Sequence, residues 1–262
     1  MKLSEVSSVG AQKVLIYGNS GSGKTCFAAG FPTPMLYLDF DNKVDSAASY
    51  HRADKERLDQ IDVRVLIPTL TQNPIAQLRD IIDNELIPQE KAGQMKYKTL
   101  VLDSITTFSA ATLAYIVSSN PGIKRTASTQ GQQPGLQDYG ILKREFQKLI
   151  PGLLGLPMNV IMLGHISTMK DDLTGELTRG PLMDGSFSAE LPIYFKEVWR
   201  SFVDKDGKHM LQTKSDYKYA CRSQTPGLPN PLPMSYPEYD KYIRANEVAA
   251  KIKGSGQAQA QV

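Results

Sequence analysis

Cysteine is almost missing from this chain: Cys26 and Cys221 are the only two in 262 residues. A pair so far apart builds neither a disulfide framework nor a zinc cluster, and it suits a reducing compartment, so a cytoplasmic setting is expected. His51 and His209 lie in polar stretches without Cys, His or carboxylate at zinc-ligand spacing. Long apolar runs are also lacking. The longest is about five residues against the roughly 20 that span a bilayer, so no membrane association is expected. The opening MKLSEVSSVG has no apolar signal region and carries Glu5, which argues against export. No repeat recurs at a spacing of roughly 20–50 residues. Nor does one charge dominate: 30 Lys and Arg against 27 Asp and Glu leave +3, a value that identifies no partner.

What is present is an ordinary globular composition, 41% hydrophobic and 22% charged, which excludes a disordered or collagen-like chain. At about 150 residues per domain the length fits one α/β domain. Short apolar runs bounded by turn residues read as buried parallel strands: KVLIYG (13–18), MLYLDF (35–40), VRVLI (63–67), TLVLDS (99–104) and NVIMLG (159–164). Asn73 and Pro74 supply a cap and a preset first turn for a helix carrying Ile75, Leu78, Ile81, Ile82 and Leu86. A second helix carries Tyr139, Leu142, Phe146, Leu149 and Ile150, with Pro151-Gly152 as its stop. VWRSFV and HMLQT flank Asp204-Lys205-Asp206-Gly207 as a hairpin, to which YKYACR adds a third strand. The proline-rich TPGLPNPLPMSYPEY is expected to wrap the surface. The expected fold is α/β, a mostly parallel sheet flanked by helices with an antiparallel C-terminal extension. The domain spans 1–245, and 246–262 form a polar, unstructured tail.

GNSGSGKT, Gly18 to Thr25, fits G-x-x-x-x-G-K-[ST] without a mismatch, between a strand and a helix. In that context Gly18, Asn19, Ser20, Gly21, Ser22 and Gly23 form a nest of N–H donors for phosphates, assisted by the helix N-terminus. Lys24 reaches the β- and γ-phosphates, Thr25 places its hydroxyl on Mg²⁺, and Cys26 offers a backbone N–H near the α-phosphate. A dinucleotide fingerprint fails, because Cys26 occupies its third glycine position. Asp103, closing TLVLD, is the carboxylate expected to hold Mg²⁺ through its water shell.

Asn42-Lys43-Val44-Asp45 spells the guanine-specificity motif N-K-x-D, but it precedes any switch motif; the one such match, Asp172-Leu173-Thr174-Gly175, comes much later. The order is wrong for a GTPase, so 42–45 reads as a loop and helix start. Ser104 stands where many AAA+ ATPases carry a water-activating Glu, which leaves Asp39 and Asp41. Asp41 lies nearer the carboxyl edge of the sheet, where ligands sit, and is the candidate to orient water.

Together, GNSGSGKT, YLDFDNKVD, TLVLDSITTF, DYGILKREFQKLIPGLLGLPMNVIMLGH, LPIYFKEVWRSF and YKYACRSQTPGLP resemble RecA-like recombinase ATPases. The resemblance is closer to small phage-encoded AAA-ATPases related to Sak-type single-strand annealing proteins. It implies ATP as the nucleotide, hydrolysis with Mg²⁺ and single-stranded DNA as a partner, with a single-strand-binding protein as a further candidate partner. It also implies a homo-oligomer with nucleotide at the subunit interface. In that family the acid at Asp41 is usually Glu and polarises the attacking water. The polar residue closing the NVIMLG strand, here His165, senses the γ-phosphate. A basic residue on the late strands reaches the neighbour's nucleotide, with Arg222 the first choice and Lys218 and Lys214 its competitors.

By the same resemblance, residues 118–138 with Lys124 and Arg125, and 167–190 with Lys170 and Arg179, stand where DNA-binding loops lie. The physical support is uneven, since the second segment carries five acids against two bases. The sharpest charge asymmetry is elsewhere: residues 196–222 hold seven Lys and Arg and four Asp and Glu, a local +3 that equals the total. Two other readings fit a P-loop chain. One is a small-molecule kinase; the other is a nucleotide-gated assembly or loader protein.

Overall fold

The computed structural model describes residues 10–67, 73–125, 127–128, 131–170, 175 and 177–259. In chain order its strands are β1 (Lys13–Gly18), β2 (Met35–Asp39), β3 (Ile61–Val65), β4 (Thr99–Asp103), β5 (Ala127–Ser128) and β6 (Gly131–Gln132). They continue with β7 (Asn159–Gly164), β8 (Ile166–Lys170), β9 (Leu177–Pro181), β10 (Glu197–Val203), β11 (His209–Gln212) and β12 (Leu232–Pro233). The helices are α1 (Lys24–Ala28), α2 (Asp45–Tyr50), α3 (Lys55–Leu58), α4 (Pro74–Ile81) and α5 (Ile87–Lys91). After them come α6 (Ile105–Ser119), α7 (Leu136–Gly155), α8 (Phe187–Glu190) and α9 (Tyr236–Gln259).

Eight strands make the main sheet, in the order β12-β11-β10-β1-β7-β4-β2-β3. From β10 to β3 every neighbouring pair is parallel, and β11 and β12 extend it antiparallel. This is the expected fold class. Strand alternation sends Leu15, Leu36, Leu100 and Met162 toward Leu78 of α4, Phe108 of α6 and Phe146 of α7. The intervening Val14, Ile16, Tyr37 and Trp199 pack on the other face with Phe27 of α1 and Tyr239 of α9. Both faces are covered, which is why the strands read as unbroken apolar runs. Register aligns Asp103 with Asp39 and with Leu163. The carboxyl ends of β2, β4 and β7 thus share one edge, the edge where open α/β sheets bind ligands.

Phe146 is fully buried, edge-on to Phe108 at 5.4 Å and stacked on Phe187 at 5.8 Å. A Phe146→Ala variant is expected to lose about 3–5 kcal/mol of unfolding free energy, measured by urea titration.

Several boundaries differ from the sequence reading. β3 begins at Ile61, two residues before the expected run. Pro151 does not stop α7; the helix runs on to Gly155 because Leu149, Ile150 and Leu153 are buried in the core on its far side as well as before it. Tertiary packing there outweighs the lost backbone bond. The strand expected from YKYACR is reduced to single bridges, Arg179 to Tyr219 and Val198 to Arg222. The place beside β11 goes to β12 in the proline-rich segment, an edge position that tolerates Pro233. The segment expected as a tail is helical through Gln259, since α9 is anchored by Tyr236 and Tyr239 and continues through helix-forming Ala and Lys. The two expected loops also hold structure: β5 pairs with β6, and β8 pairs with β9 as a hairpin. Within them, residues 126, 129–130, 171–174 and 176 lie outside the described residues, as do 1–9 and 260–262. Asp172, Leu173 and Thr174 of the late switch-like match therefore fall outside them too.

Candidate functional site

The glycine loop is built against β10. A Cβ on Gly18 would sit 2.2 Å from Ser201 Oγ and 2.4 Å from the Ser201 carbonyl oxygen, so only glycine permits this approach. Gly23 turns the chain into α1 at φ 90°, a left-handed conformation that suits glycine. The buried Ser22 hydroxyl donates to Asn19 O at 2.7 Å and is hydrogen-bonded to Ser201 Oγ at 2.7 Å, fixing the loop's curvature. Because α1 is only five residues long, the loop's own backbone N–H groups supply most of the positive character, rather than a long helix dipole.

Lys24 Nζ donates to Gly18 O at 3.0 Å and Asn19 O at 2.9 Å, inside the loop's curve. Burial pushes its pKa down, while the charges of Asp103 and Asp41 pull the other way. Thr25 Oγ1 donates to Asp103 Oδ2 at 2.7 Å, and Tyr37 from β2 donates its hydroxyl to the same oxygen at 2.7 Å. Burial pushes the Asp103 carboxyl above its ordinary range, opposed by these two donors. A hydroxyl and a carboxylate oxygen side by side are hard donors suited to a Mg²⁺ ion that keeps most of its waters. The residues present fit that ion, and Thr25 and Asp103 would hold it. When bound, it offsets negative charge on the phosphates.

The two acids after β2 separate cleanly. Asp39 is fully buried and accepts backbone N–H groups from Asp41, Lys43 and Val44 at 2.8–3.0 Å. Its carboxylate organises the loop. Asp41 instead faces the cavity, accepting from Ser104 Oγ at 3.1 Å, with His165 Nε2 3.7 Å from its other oxygen. Burial pushes the Asp41 carboxyl up, but the His165, Thr107 and Ser104 side chains more than offset that and bring it down to about 2. Asp41 is therefore ionised at neutral pH and able to accept a proton-bearing contact from water.

Asp41, Asp103, Lys24 and His165 line one cavity of about 490 Å³ beside the glycine loop. The sequence reading missed part of its wall. His209, set aside as a polar-stretch histidine, comes from β11, with Nδ1 3.0 Å from where a Gly23 Cβ would lie; Met234 follows β12, with its sulfur at 3.3 Å. Lys43, Ser46 and Tyr50 close the other side. No spacing signal marks His209 and Met234, because it is the sheet extension that brings β11 and the residue after β12 over Gly23. Residues 42–45 are the loop and helix start expected, though Lys43 and Asp45 also line the cavity. Cys26 lines it too, its thiol donating to Ser46 O at 3.6 Å.

Tyr37 supports Asp103 and was not foreseen. A Tyr37→Phe variant is expected to bind Mn²⁺ about 10-fold more weakly, measured by paramagnetic resonance of the nucleotide-bound protein, because the oriented carboxylate loses one donor.

The remaining expected residues lie apart from the cavity. Arg222 does not extend outward. Its guanidinium donates to the carbonyls of Pro192 at 2.7 Å, Ile193 at 2.9 Å and Phe195, and its backbone pairs with Val198. A guanidinium already holding three carbonyls is committed to its own chain, which corrects the assignment of Arg222 as the free basic arm. Lys214 and Lys218 are exposed. Arg125 is likewise committed: it pairs bidentately with Asp138 at 2.7 and 2.8 Å, and both side chains are fully shielded. It fastens the start of α7 and presents no cation for DNA, whereas Lys124 beside it is exposed. Lys170 is exposed at the end of β8, and Arg179 on β9 is half-buried against Tyr219.

The family model described as AAA domain matches residues 11–225. No curated protein matches the chain. Among solved structures, the crystal structure of the RadB recombinase is 13% identical with a TM-score of 0.46, covering 78% of this chain and 80% of that one. A likeness of that degree carries no argument about activity.

Proposed function

Because the chain belongs to the AAA domain family, we propose that this nucleotide-binding P-loop ATPase hydrolyses ATP with Mg²⁺ and acts on single-stranded DNA in recombination or annealing. The observation that carries the hydrolytic part is the convergence of Lys24, Asp103 and Asp41 on one cavity. Lys24 neutralises charge developing on the γ-phosphoryl group, and Asp41 orients the attacking water. Among the described residues, no group of three or more His, Cys, Asp and Glu could hold a metal by itself.

His165 links this chemistry to β8 and β9. Its backbone N–H donates to Thr106 Oγ1 at 2.9 Å, and that hydroxyl donates to Leu182 O at 2.8 Å. Leu182 N–H in turn donates to His165 O at 2.8 Å. A change in what Asp41 and His165 contact is thereby passed to the hairpin bearing Lys170 and Arg179. These two cations and Lys124 are the proposed DNA contacts. A phage setting, an oligomer with nucleotide at the subunit interface and a single-strand-binding protein partner belong to the same reading. They rest on the sequence resemblance. Among the described residues, no helix is long and apolar enough to cross a membrane.

The test is binding of a fluorescent single-stranded oligonucleotide with ATP or with ADP, paired with sizing of the protein in each state. Tighter binding and larger assemblies with ATP support the reading. A phosphorylated small molecule as the product of ATP turnover would replace it with the kinase alternative.

A further inference from the structure

Outside the cavity, the most unusual cluster of charged groups lies where β9 meets the turn after β11. Arg200 of β10 stacks on the Tyr219 ring at 3.7 Å, and Arg179 of β9 stands 5.5 Å from the same ring. Lys218 lies 5.2 Å from the ring of Tyr217, which is 73% exposed. Lys214 is exposed in the same turn. Among the described residues, none of Arg179, Arg200, Lys214 and Lys218 forms an ion pair with a carboxylate. Asp216 in the turn accepts from the backbone N–H groups of Lys218 and Tyr219 and from Gln212 Nε2, and its charge offsets part of that of Arg200, which donates to Gln212 Oε1 at 3.1 Å; Lys214 and Lys218 carry the charge that faces solvent. None of these cations lines the nucleotide cavity, so they do not serve the phosphates bound by their own chain.

Exposed lysines beside aromatic rings, one of them open to solvent, are the chemistry of a single-strand surface: the lysines neutralise phosphates and the open ring stacks on bases, while Arg200, held between Tyr219 and Phe202, sets the position of the Tyr219 ring. We propose that Arg179, Arg200, Lys214, Tyr217, Lys218 and Tyr219 form a binding surface for single-stranded DNA, continuous with the β8–β9 hairpin. The assignment rests on the DNA reading of the function and gives that reading a principal contact surface on the sheet extension. The exposed tyrosine favours unpaired bases over duplex. The surface is also fastened to the nucleotide loop. The hydroxyl of Tyr17, the residue before Gly18, bonds Ala220 O at 2.9 Å and Arg179 O at 3.3 Å. Tyr17 thus ties the strand that leads into the nucleotide loop to the backbone of this surface.

The test is fluorescence anisotropy of a labelled oligo-dT with the full chain in Mg-ATP, across a salt series. Removing one phosphate-neutralising charge should flatten the log–log salt slope by about 0.7, so Lys214→Ala/Lys218→Ala is expected to flatten it by about 1.4. Tyr217→Ala, which removes a stacking ring, should weaken binding about five-fold or more. All three side chains are exposed, so thermal midpoints should match the wild type, and a Lys91→Ala control should leave the slope unchanged. Wild-type binding with an unaltered slope and affinity in these variants would overturn the surface while leaving the DNA reading intact. No wild-type binding would overturn both. Loss of ATPase and of oligomer in the double variant, with DNA affinity unchanged, would also overturn it and assign the lysines to a neighbouring copy's nucleotide.

Discussion

Lys24→Ala lowers kcat/KM for ATP by about 100- to 1000-fold or more, the scale found when a preorganised charge donor is removed from a transition state. The lysine has no substitute within the loop. It is buried, it already points at the carbonyls of Gly18 and Asn19, and the other lysine on the cavity wall, Lys43, stands outside the glycine loop, after Asp41. The backbone N–H nest remains, so residual nucleotide binding is expected, while the developing γ-phosphoryl charge loses its point partner. Phosphate release gives kcat and KM, and circular dichroism checks that the variant is folded. Unchanged turnover would mean that ATP is cleaved elsewhere or not at all by this chain.

Asp41→Asn is expected to reduce kcat by about 100- to 10,000-fold with KM changed little, because an amide keeps the shape but loses the negative charge and one of the two acceptor oxygens that orient the attacking water. The neighbouring Asp39→Asn should behave differently. Its carboxylate accepts three backbone N–H groups and never faces the cavity. An amide cannot accept all three equally well, so the loss appears mainly as lowered thermal stability and raised KM through a loosened loop. Measuring both variants side by side separates the group that meets water from the group that shapes the loop. A larger kcat loss for Asp39→Asn than for Asp41→Asn would reverse the assignment.

The parts of this site that sequence could show are those encoded locally. The glycine loop needs particular residues at fixed spacing, and Asp103 closes an apolar run, so both are visible along the chain. Asp41 required a choice that alternation alone could not make: the chain leaves strand geometry after Asp39 and passes through Asn42 at φ 54°. That bend buries one acid and exposes the other to the cavity. The residues that escaped notice are those delivered by long-range contacts. His209 and Met234 reach Gly23 only because β11 and β12 extend the sheet beside the loop, and Tyr37 reaches Asp103 across two paired strands. The misjudged cations, Arg125 and Arg222, have partners set by folding, a carboxylate at the start of α7 and a bend of carbonyls before β10. Charge on a polar stretch looks free in sequence; whether it is spent depends on what the fold places beside it.

Strand positions were legible for the same reason as the loop. Two-sided burial writes a continuous apolar run, and the runs at 13–18 and 159–164 match the observed strands end to end. The helix end at Pro151 was not legible, because a proline's local cost gives no measure of the core contacts that outweigh it. The charge excess of residues 196–222 gains a location as well. Part of it is consumed by carbonyls around Arg222, and part, Arg200 and Lys218, lies against the rings of Tyr219 and Tyr217.

The decisive measurement is steady-state phosphate release from Mg-ATP by the full chain, with and without single-stranded DNA. Release that rises when the DNA is added, and that disappears in Asp41→Asn, is the expected result. No release in either condition, or release indifferent to both DNA and Asp41, would contradict it.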